Sequence, residues 1–189
     1  MKINFSSYPF FAGMIILQLA VPAFMIVKYE TTVVSGKEFR FRTAPIDPED
    51  PFRGKYITLS YEATSFLSNA TDMFSENQEV FVSLQNDSLN FVKISNISSE
   101  EPSGADFVTG VVSYIDGEPS GKINISYSFN RFYMEETRAP RAEQVFGNAT
   151  RERKEDTYAL VSVYKGKAVV KDVFIGEVSI KELAKETGE

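Results

Sequence analysis

The pattern of apolar and polar positions divides this chain in two at Lys28. From Tyr8 to Val27 there is no charged residue, and Phe, Ile, Leu, Val, Met and Ala dominate. At ~1.5 Å per helical residue, about 20 such residues cross a hydrocarbon core of ~30 Å. A cleavable signal peptide has a shorter apolar region followed by a small-x-small site. Val21-Pro22-Ala23 is the nearest match, but Phe24 to Val27 continue the apolar run, so an uncleaved anchor is expected. The expected division is a short cytoplasmic head (1–7), a transmembrane anchor (8–27) and an extracytoplasmic domain (28–189), placing the chain in the cell membrane as a single-pass protein. Lys28, Lys37, Arg40 and Arg42 follow the anchor, but a long domain translocates regardless of such charges.

Beyond Lys28 the period shortens to two. Thr31 to Thr43 reads as a strand or bent strand pair around Ser35-Gly36, with Phe39 and Phe41 alternating with Arg40 and Arg42. Residues 56–61 alternate again, with Ile57, Leu59 and Tyr61 on one face and Tyr56, Thr58 and Ser60 on the other. Thr64 to Asn77 fits either a short helix or an irregular crossing. Hairpins are expected from Glu79–Leu84 to Phe91–Ile97 around Asn86-Asp87-Ser88, and from Tyr158–Tyr164 to Ala168–Ile175 across Lys165-Gly166-Lys167. Phe107–Ile115 and Lys122–Phe132 read as another strand pair. Pro140 suits the first turn of a helix, which Gly147 interrupts or ends, and Ser179 to Lys185 suggests a short terminal helix. The fold class is α+β: one N-terminal transmembrane helix, then a single, mostly antiparallel β domain with one or two short helices.

Two stretches break this regularity around charge. The first is Ile46-Asp47-Pro48-Glu49-Asp50-Pro51-Phe52-Arg53-Gly54, a rigid polar turn that opens into Lys55-Tyr56-Ile57-Thr58-Leu59-Ser60-Tyr61. The second is Arg131 to Glu143, where alternation stops at Met134. The first stretch resembles the signature of the bacterial GDYXXLXY family of membrane-anchored proteins, through Asp47, Asp50, Arg53, Gly54, Tyr56, Leu59 and Tyr61. Lys55 stands where that pattern has Asp. The second is similar to the family's aromatic strand leading to a Glu and then to a helix with a second Glu, at Tyr133, Glu136 and Glu143. The resemblance covers most of the extramembrane domain. It implies a membrane-anchored protein, often encoded beside multi-pass membrane proteins, and it supplies no activity.

Composition narrows the chemistry. The 189 residues contain no His and no Cys, which excludes Ser-His-Asp triads, Cys-His pairs, thiolate chemistry, disulfides and any zinc site that needs imidazole. A net charge of −6 gives no support to nucleic-acid binding. No catalytic, cofactor-binding or metal-binding set is assigned. Asp47, Glu49 and Asp50 offer oxygen ligands for Ca²⁺ without a recognisable calcium-loop spacing, and a solvated turn explains them more simply. Arg53 is expected to pair with a carboxylate, with Asp47, Asp50 and Glu136 as candidates, rather than with a ligand. Glu135, Glu136 and Glu143 suit either paired acid–base groups or a helix start favoured by negative charge. Tyr56 and Tyr61 are expected to pack.

Three readings follow. The leading one is a non-catalytic envelope subunit acting with a membrane partner. The alternatives are a membrane-tethered binding module for a cation or envelope polymer, and a Ser-Lys hydrolase using Ser60. Gln18 adds a detail to the first. Its amide sits in the middle of the apolar run and shares a helical face with Phe11, Ile15, Pro22 and Met25, while Pro22 frees the Gln18 carbonyl. That face is expected to meet a partner helix, in a second copy or a multi-pass neighbour, or else Gln18 bonds within its own helix. Five Asn-x-Ser/Thr sequons, at Asn69, Asn86, Asn96, Asn124 and Asn148, fit a glycosylated protein. The two family-like motifs favour a bacterial chain, in which those sequons are coincidental.

Overall fold

The computed structural model describes residues 8–45, 56–68, 71–116, 121–152 and 156–185. The apolar run is helical, and α1 (Tyr8–Ser35) continues well past Lys28 for 28 residues, about 42 Å. This corrects the strand expected from Thr31. The β-branched Thr31 and Thr32 stay helical because their hydroxyls donate to the carbonyls four residues back, Val27 O at 2.7 Å and Lys28 O at 3.1 Å. Thr32 is also buried to 2 % exposure against the β domain, so packing overrides strand propensity.

The strands follow as β1 (Lys37–Ala44), β2 (Tyr56–Thr58), β3 (Ser60–Tyr61), β4 (Ser65–Leu67), β5 (Glu79–Asn86), β6 (Val92–Ser98), β7 (Phe107–Asp116), β8 (Lys122–Ser126), β9 (Arg131–Tyr133), β10 (Thr157–Tyr164), β11 (Lys167–Ile175) and β12 (Val178–Ser179). Two helices interrupt them, α2 (Ala139–Glu152) and α3 (Ile180–Leu183). The strands form two five-stranded sheets and one pair, all with antiparallel pairings: β12-β11-β10-β1-β3, β4-β8-β7-β5-β6, and β2-β9. In the second sheet the edge strands β4 and β6 approach each other, so it curls toward closure.

Alternation sets the core. Phe39, Phe41 and Thr43 of β1 are buried, while the intervening Glu38, Arg40 and Arg42 are not. Phe41 is fully buried in an aromatic cluster with Tyr61 (ring centroids 5.3 Å), Phe129 (5.2 Å) and Tyr127 (6.1 Å). Two expected strands are each divided. Residues 56–61 leave one ladder and join another at Leu59, whose N–H donates to Asn130 O at 2.8 Å. Lys122–Phe132 likewise splits into β8 and β9. The ambiguous Thr64–Asn77 segment becomes β4 and a 3₁₀ turn at Thr71–Met73.

α2 runs through Gly147 to Glu152 and buries Ala139, Ala142, Phe146 and Thr150, spaced three, four and four. Its first turn contains no acid: Glu135 and Glu136 precede it and Glu143 follows it. The Glu135 carbonyl accepts from the N–H groups of Arg138 and Ala139 at 3.0 Å each. α3 starts as expected from Ser179, whose Oγ accepts from Lys181 N and donates to Asp172 Oδ2 at 2.9 Å.

Candidate functional site

The strand that follows the first irregular stretch meets the second. β2 and β9 pair with Tyr56 opposite Tyr133, Ile57 opposite Phe132 and Thr58 opposite Arg131. The register places Ile57 and Phe132 inward, at 1 % and 4 % exposure, and puts the Tyr56 and Tyr133 rings together outside, 5.5 Å apart. Arg131 adds its guanidinium over the Tyr56 ring at 4.9 Å, and the Tyr133 side chain holds its pKa above the ordinary arginine value. Tyr133 remains 65 % exposed, so the strand pair carries an aromatic–cationic surface over an apolar floor.

α2 packs against β2, and between them lies a cleft of about 270 Å³ lined by Ala44, Ile57, Thr58, Glu143, Gln144 and Arg151 among others. Ala44, at the end of β1, and Ile57 and Thr58 of β2 all border it. Glu143 is half-buried on its wall, whereas Glu136 is exposed in the connection ahead of α2. Asp47, Asp50, Arg53 and Gly54 lie outside the described residues, as does Glu49, and the expected Arg53 pairing lies there with them.

The signature positions therefore divide by role. Leu59 and Tyr61 are core residues, each 3 % exposed. The Tyr61 hydroxyl donates to Phe129 O at 2.7 Å, and that of Tyr127 donates to Ala63 O at 2.7 Å. Burial pushes both phenol pKa values well above the ordinary tyrosine range, with Tyr127 adding to the effect at Tyr61. Tyr56 and Tyr133 instead pair on the outer face of β2 and β9, and Glu143 lines the cleft beside α2. Ser60 sits in β3 opposite Ala44, and among the described residues no hydrogen bond joins it to a lysine. Nor, among the described residues, do three or more acidic side chains gather as a cation site would require.

A family model described as GDYXXLXY protein matches residues 18–173, most of the chain. This chain belongs to the GDYXXLXY family. Searches of curated proteins and of solved structures each found no match. The family match runs from the middle of α1 to the end of β11, so it includes the helix as well as the β domain. In these terms the described part of the GDYXXLXY signature strand, Tyr56 to Tyr61, divides between a surface pair and the core.

Sequence reasoning missed two features. Arg131 was legible only as an alternating polar position, since its stacking on Tyr56 depends on a pairing across more than 70 residues. The junction of α1 with β10 was also missed. There Ser162 Oγ donates to Thr32 O at 2.7 Å, and a Cβ at Gly36 would collide with both of those oxygens. Its one sequence signal was Ser35-Gly36, which also fits a bend between strands.

Proposed function

We propose that this chain is a bacterial envelope protein anchored by α1, with the short head in the cytoplasm and the β domain outside. The domain acts as a non-catalytic subunit beside a membrane partner. The observation that carries this reading is the form of α1. Its side chains from Pro9 to Glu30 are all exposed, and those up to Val27 are uncharged; the same helix then enters the β domain without a linker. An apolar surface of this length has no partner within the described chain. A bilayer satisfies most of it, and a neighbouring helix satisfies Gln18.

Cysteine substitution tests this, because the chain has no cysteine of its own. Gln18→Cys and Met25→Cys are expected to crosslink in membranes, to a second copy or to a neighbour, while Ala20→Cys is not. Equal labelling of all three by lipid-phase probes removes the partner face. Extraction of the chain by carbonate removes the anchor itself.

A second reading is favoured by the Tyr56–Tyr133 pair and the adjoining cleft: a tethered module that stacks an envelope polymer on exposed rings. Tyr133→Ala then abolishes co-sedimentation with the polymer without lowering the melting temperature.

A further inference from the structure

The end of the β domain nearest the apolar run carries a second cleft, of about 360 Å³, distinct from the one beside α2. One wall is a face of α1: Met25, Lys28, Tyr29 and Thr32, spaced three, one and three. The other wall is the start of β11, including Lys167 and Val169, with Phe129 behind them. The cleft thus begins inside the uncharged run, at Met25, and ends at its first charged residue and beyond.

The height of this cleft along α1 is fixed by contacts. The Ser162–Thr32 hydrogen bond and the absence of space at Gly36 hold the last turns of α1 on β10. The β10–β11 turn is pinned from the other sheet, since Thr109 donates to Gly166 O through its N–H at 2.9 Å and through Oγ1 at 3.2 Å. Gly166 has a φ of 77°, and a Cβ there would come within 2.7 Å of the Phe107 ring. The turn that carries Lys165 and Lys167 therefore stays level with Lys28.

We infer that this cleft holds an anionic phospholipid of the bilayer that α1 crosses, its acyl chain along Met25 and Val169 and its headgroup between Lys28 and Lys167. The inference rests on the anchoring reading above. Three observations favour lipid over a soluble ligand. The cleft is continuous with the exposed apolar face of α1. Its polar rim bears lysines at the level where a helix leaves hydrocarbon, where Tyr29 is also exposed. Glu30, two residues from Lys28, falls on the opposite side of the helix, so the cleft wall itself is cationic.

The test uses the full chain in phosphatidylcholine vesicles with and without phosphatidylglycerol. Flotation with the vesicles reports anchoring by itself. Spin-labelled phosphatidylglycerol is then expected to be immobilised in preference to spin-labelled phosphatidylcholine, by about fivefold for each lysine near the surface. Lys28→Gln with Lys167→Gln is expected to bring the two lipids to parity, and Lys28→Arg with Lys167→Arg to preserve the preference. A chain that floats but shows no preference, or keeps it in the glutamine variant, overturns the lipid site alone. A chain that does not float overturns the anchor and this site together. Should the glutamine variant fail to fold, Lys165→Cys carrying a fluorophore decides. Brominated lipid is expected to quench it, while Glu177→Cys at the far end of β11 stays bright; equal quenching at both positions overturns the site.

Discussion

Two halves of one helix are solvated in opposite ways. From Pro9 to Val27, α1 is apolar and wholly exposed, with Phe10 and Phe11 at 74 % and 63 %. From Lys28 to Ser35 it carries Lys28, Glu30, Thr31 and Thr32, yet this is the half with a buried residue, Thr32. In water the more apolar half should be the one that docks. The inversion shows that the two halves answer to different surroundings. Packing on β10 and β11 supports the polar half, and the apolar half has a surface suited to lipid. Because no break separates them, the domain inherits its orientation from the helix.

The sharpest way to break this contrast is to truncate one phenyl ring on each side. Phe41 is fully buried among Tyr61, Tyr127 and Phe129, so Phe41→Ala is expected to cost ~3–5 kcal/mol and lower the melting temperature of the domain strongly. Phe11→Ala removes the same ring from an exposed position and is expected to leave that melting temperature unchanged. Comparable losses would mean that α1 packs on the domain along its whole length.

A second pair probes the helix at its two ends. Nothing lies within 4 Å of a Cβ built at Gly13, whereas at Gly36 the Thr32 carbonyl and Ser162 hydroxyl occupy that space. Gly36→Val is expected to cost about 3 kcal/mol, at the upper end of overpacking, and Gly13→Val little. Thermal melts of both variants in mild detergent check this.

Alkaline titration probes the buried phenols of the domain core. Tyr61 and Tyr127 ionise less readily when folded, so their contribution is fully present below the ordinary value of 10.0 and is lost as pH rises above it. Each ring then removes up to ~1.4 kcal/mol per pH unit. The expected record includes a cooperative step in tyrosinate absorbance that coincides with unfolding. Tyr61→Phe should shift that step to higher pH, and a single non-cooperative rise would contradict the burial argument.

What the sequence made legible was local. The apolar run, the two hairpins, the Pro140 helix and the short terminal helix after Ser179 each rest on neighbours within a few residues, and each is in place. The alternation of Ile57, Leu59 and Tyr61 also held, although the strand carrying it changes partners at Leu59. Thr31 to Ser35 misled because β-branched residues favour strands, and only the contact with β10 shows why they remain helical. The site was legible in its residues but not in its assembly. Tyr56 and Tyr133 were singled out separately, and their convergence depends on a pairing that no local pattern encodes. Arg131 lacked any signal beyond its polarity.

The smallest effect bears on how the two halves of α1 are joined. Ser162→Ala removes the hydroxyl that reaches Thr32 O but does not orphan that carbonyl, because the Gly36 N–H still donates to it at 3.1 Å. The expected cost is therefore about 1 kcal/mol, that of one intramolecular hydrogen bond without an unpaired acceptor. The more informative measurement is its coupling to Gly36→Ala. A methyl at Gly36 meets the Ser162 hydroxyl as well as the Thr32 carbonyl, and removing the hydroxyl relieves only the first collision. The double variant should accordingly lose less than the sum of the singles, with a coupling of about 0.5–3 kcal/mol for groups in contact. Strict additivity in the melts would separate the Ser162 bond from the close approach at Gly36. The fixed attachment of α1 would then rest on side-chain packing along β10 and β11 instead of on this one joint.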